Sequence, residues 1–253
     1  MKICVLIKQV ASEDSPLLLN EDKISLNQDG INLVSNEPDT YALEEALQIK
    51  EKNDGEVVVC TLGNESARQV IKDALAKGAD RGIFISSEKI NNNDPLLVAK
   101  TIAETIKSQD FDLVLSGLQS NDNGHSQVGI LIAELLNTSH ASLVMGTEIL
   151  NNKTIKVKQE LENGWFQWSE LDFPASLTIQ SGINSPRYAT LKGIMSVKNK
   201  TVDSFDSKDL TSNYNLIERF VPQKTKETVV IEGNADDIAN DLADILKNKI
   251  KVI

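Results

Sequence analysis

The sequence predicts an α/β protein: a three-layer domain on a mainly parallel sheet, with an added β-hairpin and a C-terminal arm. Three observations lead there. Over roughly the first 200 residues, apolar runs of strand length alternate with amphipathic segments, the rhythm of strands joined by crossover helices. The runs at residues 3–7, 56–61, 81–86 and 111–116 are rich in Val and Ile and nearly continuous in apolar character, as strands covered on both faces must be. From about His140 the texture changes to shorter strands separated by turn signals.

Each element has a local reason. Residues 39–52 read as a helix, with Ala42, Leu43, Ala46, Leu47 and Ile49 towards the core. The adjacent Glu44-Glu45 is expected to be a solvated face. A second helix carries Ala67, Val70, Ile71, Ala74 and Leu75 after a candidate cap at Asn64, and Gly78 ends it. Asp94-Pro95 opens a third, with Leu97, Ile102 and Ile106 along it, since proline in a first turn forfeits no backbone bond. A fourth starts near Gln127, with Asn123 or Ser126 as candidate cap.

Asn151-Asn152 separates residues 147–150 from 154–159 as a hairpin turn, residues 165–171 pair with that hairpin, and 174–180 return to the main sheet. Trp165 and Trp168 would face opposite sides of a strand, one of them packing inward or onto a partner. Residues 201–223 are polar, irregular and long for a connection inside a compact domain. They are expected to be disordered or to lie along another protein. Residues 236–249 form a terminal amphipathic helix through Ile238, Leu242, Ile245 and Leu246. The expected organisation is a domain over 1–200, holding a loop at about 184–200, and an arm over 201–253.

Composition narrows the function. The 253 residues are 40% hydrophobic and 25% charged, which fits one large globular domain, or a domain with an arm. The net charge of −11 would repel a phosphate backbone, so nucleic acid is not an expected partner. No apolar run approaches the roughly 18 residues of a membrane helix, so no membrane insertion is expected and the cytoplasm is the default location. Cys4 and Cys60 lie inside apolar runs without metal-ligand spacing, and read as buried thiols; no metal site is expected. With His125 and His140 the only histidines, and no nucleophile paired with a base in any candidate loop, no catalytic residue emerges.

Open parallel sheets bind ligands beyond the carboxyl ends of their strands, and four loops lie there. Residues 116–129 read SGLQSNDNGHSQVG, a strand end followed by glycines, amides and a helix start; a phosphate would be favoured at that positive helix end, a capped polar loop being the plain alternative. The glycines fall at 117, 124 and 129, so neither a GxGxxG nor a GxxxxGK[ST] spacing is present. His125 lies in this loop, where it either contacts phosphate or stays in solvent. The others are Asn36-Glu37-Pro38-Asp39, Leu62-Gly63-Asn64, and the run from Asn184 to Leu191 holding an arginine and a tyrosine of the kind interfaces favour.

Read together, these segments resemble the beta (small) subunit of electron transfer flavoproteins. The resemblance rests on Lys8-Gln9-Val10, the stretch from Asn36 (NEPDTYALEEALQIK), LAKGADRG at 75–82, the GxQ...D....Q.G loop within 112–129, and above all PRYATLKGIM at 186–195. It runs the length of the chain. It implies a Rossmann-like domain in a heterodimer whose alpha subunit holds most of a redox-active FAD, while the beta subunit binds AMP. This chain would then be an electron-carrier subunit and not an enzyme.

By motif match, the implied cofactor-binding residues are Leu6, Asn36, Glu37, Pro38, Asp39, Leu62, Gly117, Asp122, Asn123, Gly124, His125, Ser126, Gln127 and Val128. The implied partner-recognition residues are Pro186, Arg187, Tyr188, Leu191, Ile194 and Met195, with Leu191 inserting into an apolar pocket of acyl-CoA or other dehydrogenases; the alternative for Leu191 is a core leucine. Electrons would pass on to a quinone oxidoreductase. Several positions depart from the pattern. The entry proline has moved by one and no aromatic accompanies it, Val128 replaces a hydroxyl, Gln159, Asn163 and Ser169 are unusual, and Ser196 and Asn199 stand where lysines are common. Two alternatives remain at this point. One is a bifurcating type with a second FAD in place of AMP, whose usual loop DGDTAQVG is here DNGHSQVG. The other is a non-redox adenine-nucleotide module on the same fold.

Overall fold

The computed structural model describes residues 1–222 and 228–252. The chain divides into two compact units, Met1–Glu218 and Arg219–Ile253. Most of the first unit hangs on one sheet. Its strands are β1 (Lys2–Leu6), β4 (Glu56–Gly63), β5 (Arg81–Ser86), β6 (Leu113–Gly117), β7 (Ser139–Asn151), β8 (Thr154–Glu160), β9 (Phe166–Asp172), β10 (Ala175–Ile179) and β11 (Val202–Asp206). Two further short strands, β2 (Gln9–Ala11) and β3 (Leu33–Ser35), pair antiparallel on their own.

The sheet order is β11-β5-β4-β1-β6-β10-β7-β8-β9. Pairing is parallel from β11 to β7, then antiparallel through β8 and β9. The chain therefore leaves β1 towards β4 and β5 on one side and returns on the other side at β6. That reversal between β1 and β6 opens a crevice at the carboxyl ends.

Side-chain alternation along the strands builds a core on each face. On one face Ile3, Val5, Val57, Val59, Leu113 and Leu115 meet α1 (Glu37–Asn53) and α2 (Arg68–Lys77). On the other, Cys4, Val58, Cys60, Ile83 and Ile85 meet α3 (Pro95–Ile106) and α4 (Val128–Leu136). The expected three-layer Rossmann-like α/β architecture is thus present, with the hairpin β7–β8 extending the sheet. Core faces predicted for α1, α2 and α3 are buried at every named position. Asp94 caps α3 by accepting from the amides of Leu96 and Leu97, and Gly78 ends α2. Both cysteines are buried, and burial pushes the Cys4 thiol well up.

Some expectations meet a different geometry. The first unit reaches Glu218, beyond residue 200, because β11 pairs in register with β5 from Val202↔Gly82 to Asp206↔Ser86. Past that strand, Ser212 Oγ donates to Asp94 at 2.7 Å and Lys208 pairs with Glu104. The part of 201–223 before Arg219 therefore lies along the chain's own domain; Gln223 is outside the described residues. Glu44 and Glu45 are buried and not solvated, because Arg187, Asn184 and Thr147 reach them. Neither tryptophan packs inward. Trp165 precedes β9, Trp168 lies on it, and Lys156 stacks on the Trp168 ring at 4.9 Å.

The second unit holds α6 (Ala235–Asp244), capped by Asn234 through the amides of Asp236 and Asp237, and a wider turn over Ile245–Ile250. Its apolar stripe is present, and no residue of α6 is buried within this chain.

Leu115, fully buried in the middle of β6 with β1 and β10 on its two sides, has little room for neighbours to collapse into. Leu115→Ala is expected to lower stability by about 2–5 kcal/mol in urea unfolding. A loss below about 1 kcal/mol would contradict a tightly packed centre.

Candidate functional site

Helix α1 points its first turn at the crevice between β1 and β6, and two of its side chains tie the loops on either side together. Asn36, immediately before the helix, donates its amide Nδ2 to the Gln119 carbonyl and accepts from the Asn121 amide, both at 2.9 Å. Its own backbone amide donates to the Lys8 carbonyl at 2.8 Å. Asp39, one turn on, accepts from the Lys8 amide at 2.8 Å and from the Gly117 amide at 2.9 Å. A third tie runs outside them, from Lys8 Nζ to Asp122 at 2.6 Å.

The approach is close. A Cβ on Gly117 would stand 2.6 Å from Pro38 Cβ and 2.7 Å from the Asp39 nitrogen, so only glycine lets the helix seat. Burial pushes the Asp39 carboxyl up to about 6, against the pull of its two amide donors, Asn36 and Lys8. Asp122 goes the other way: burial opposes its ionisation, but the Lys8 ammonium outweighs it and holds the carboxyl below its usual range.

These ties frame a cavity of about 300 Å³. Leu6, Asn36, Asp39, Leu62, Gly117, Asn123, His125, Ser126, Gln127 and Val128, all expected at a ligand site, line it together. Glu37, Pro38, Asp122 and Gly124 do not line it. Pro38 is buried beneath Gly117, Asp122 faces Lys8, and Glu37 is exposed.

Further lining residues escaped the sequence reading. Pro95, Val98 and Ile102 come from one face of α3 and Cys60 from within β4, while Ser116, already inside the 116–129 candidate loop, lines the cavity as well. The 3- and 4-residue spacing of the α3 trio was the available signal, since such positions share a helix face. Apolar walls from Leu6, Leu62, Val98 and Ile102 thus meet a polar rim from the 117–128 loop.

The polar rim has unused donors. Helix α4 starts after Gln127 with no side-chain cap. Neither Asn123 nor Ser126 caps it: the Asn123 amide donates to Asp122, and Ser126 Oγ donates to Gln119 Oε1 at 3.0 Å. Ser116 Oγ is buried without a hydrogen-bond partner in the chain. A Cβ on Gly129 would come within 2.5 Å of that hydroxyl, so glycine leaves it room beside the helix start. An uncapped helix N-terminus and an orphan hydroxyl suit an anionic, hydroxylated ligand whose apolar part lies between the leucines.

The recognition residues assemble elsewhere, around α5 (Leu191–Ser196), a short helix capped by Thr190. Tyr188, Leu191, Ile194 and Met195 are exposed, with Leu191 at 76%, so Leu191 is no core leucine. Pro186 is half-buried, and the Arg187 guanidinium turns inward to Glu44 and Glu51.

A parallel sheet with a crevice at its topological switch, together with an apolar knob on a separate loop, defines a Rossmann-like α/β protein with a candidate ligand site. The comparisons with known proteins carry this further. The family model described as "Electron transfer flavoprotein domain" matches residues 24–210. "Electron transfer flavoprotein subunit beta" of Methylophilus methylotrophus is 34% identical over 97% of this chain and 98% of its own length. Its namesake in Bacillus subtilis is 31% identical over all of both chains. The mitochondrial subunit beta of Arabidopsis thaliana is 29% identical over the same full extent. The chain belongs to the electron transfer flavoprotein beta-subunit family. Among the described residues, no helix is long and apolar enough to cross a membrane.

Asp39 makes a signed prediction. Its folded-state value, about 6, lies above its ordinary 3.8, so between these the folded chain binds more protons than the unfolded one. The stability it contributes is full below 3.8 and is lost as pH rises through about 6. Asp39→Asn abolishes this titration while keeping one acceptor oxygen. The destabilisation caused by Asp39→Asn should therefore be larger at low pH than above neutrality, as read by urea unfolding across that range. An invariant difference would show that Asp39 titrates normally.

Proposed function

We propose that this chain is the small subunit of a cytoplasmic heterodimeric electron transfer flavoprotein, holding AMP in the crevice between β1 and β6. The alpha subunit carries most of the FAD, which supplies the redox chemistry when bound. The heterodimer takes electrons from acyl-CoA or other dehydrogenases that dock on the 186–195 segment, and delivers them to a quinone oxidoreductase. The arm from residue 219 onward packs on the alpha subunit, which would cover the α6 stripe left unburied in this chain.

The observation that carries the AMP reading is the cavity itself. At about 300 Å³ it lies at the small end of ligand sites. That suits a mononucleotide. Leu6, Leu62, Val98 and Ile102 would flank the base. The free amides of the first turn of α4, with Ser126 and Ser116 close by, would hold the polar end. Exposure of Leu191 supports the docking reading, because burying one leucine is worth about 1.5–3 kcal/mol, enough to anchor a transient complex.

Acid extraction of the purified heterodimer should release equal amounts of FAD and AMP. Two FAD per heterodimer would reassign the crevice to a bifurcating flavin, and a nucleotide without flavin would turn the reading towards a non-redox module.

Leu191→Ala should raise the KM of the heterodimer as acceptor for a reduced acyl-CoA dehydrogenase about ten-fold or more, the loss of a 1.5–3 kcal/mol contact. Bound FAD should stay at wild-type content. Unchanged transfer kinetics would remove the docking role.

A further inference from the structure

Arg187 stands next to Tyr188, which is 92% exposed, yet its own side chain runs back into the fold. Nε and Nη2 donate to the Glu44 carboxylate at 2.8 and 3.0 Å. The Arg187 backbone amide donates to the same carboxylate at 3.2 Å. Nη1 and Nη2 also donate to Glu51, one helical turn pair further along α1.

Glu44 is only 5% exposed, a position that a carboxylate tolerates only with charged or hydrogen-bonding partners. Burial works against its ionisation, but the bonds from Arg187 and Gln48 outweigh it and hold the carboxyl below its usual range. The guanidinium, in turn, is raised by its bonds to Glu44 and Glu51. Asn184 adds a neighbouring tie, donating to the Tyr41 carbonyl at 3.1 Å and to Glu45 at 2.9 Å. At the other end of the segment, Lys200 Nζ donates to the carbonyls of Leu75 and Ala79, where α2 ends. Between these two moorings Leu191, Ile194 and Met195 stand out without partners in the core.

We propose that Arg187 is a positioning residue for docking: through Glu44 and Glu51 it fixes the 188–195 knob to α1, and it does not itself meet the electron donor. This rests on the docking reading above. A segment already held in its docked shape has less conformational entropy to lose on association. Removing the mooring should therefore weaken the encounter while leaving transfer within the complex intact.

The test uses the full heterodimer as electron acceptor, with an acyl-CoA dehydrogenase reduced by its acyl-CoA as donor. Arg187→Gln and Glu44→Gln should each raise KM about ten-fold, with kcat within about two-fold of wild type. The double variant should be no worse than Arg187→Gln alone, because that substitution already removes the side chain through which Glu44 acts. Arg187→Lys, which keeps the charge but not the fork, should fall between, and it serves where a glutamine variant folds poorly. Tryptic cleavage after Lys192 in the native heterodimer supplies a readout independent of the donor. It should quicken in Arg187→Gln and Glu44→Gln and stay at the wild-type rate in Leu191→Ala.

Wild-type KM and cleavage in both glutamine variants, with Leu191→Ala still defective, overturn the positioning role alone. A raised KM with wild-type cleavage also overturns it, since Arg187 would then be touching the donor. An unchanged KM in Leu191→Ala removes the docking reading, and the positioning role with it.

Discussion

The first turn of α1 lies so close to the end of β6 that residue 117 has space for hydrogen and nothing more. Much of the site follows from that contact. It brings Asp39 within reach of the amides of Lys8 and Gly117, and Asn36 within reach of Gln119 and Asn121. The strands β1 and β6 are neighbours in the sheet, but their following loops depart to different parts of the chain. Without Asn36 and Asp39 only the half-exposed Lys8–Asp122 pair, together with the Lys8–Ser120 bond, would tie those loops by side chains, and their distance sets the width of the crevice.

The same helix serves the docking segment through its middle. Glu44, Glu45 and Glu51 receive Arg187 and Asn184, while Ala42, Leu43, Ala46 and Leu47 pack on the sheet. One rigid element thus references both the crevice and the knob to the same apolar core. Glu44 and Glu45 are structural because their main partners, Arg187, Asn184 and Thr147, are long-range, with Gln48 a local addition at Glu44.

That distinction explains what the sequence made legible. Strands and core faces were readable because apolar periodicity is a local property, and α3 was readable from Asp94-Pro95 because a cap and a first-turn proline are local too. Glu44-Glu45 was misread for the opposite reason: Arg187 lies 143 residues away, and no window along the chain contains both. The strand β11 was missed because a short parallel edge strand with four exposed positions carries little apolar pattern. The crevice loops were found by combining the strand-end rule with family motifs. Neither source could separate residues that line the cavity, such as Leu6 and Val128, from those that support it, such as Pro38 and Asp122. Asn36 and Asp39 do both.

The hairpin edge has a practical side. Both tryptophans of the chain fall within four positions of one another, at Trp165 and Trp168, beside the solvent-facing strand β9. Indole emission from this subunit therefore reports the surroundings of that outermost ribbon and is blind to the hydrophobic interior. A partner that covers the ribbon would shift the spectrum to the blue, whereas local loosening around α1 or α3 would leave it unmoved.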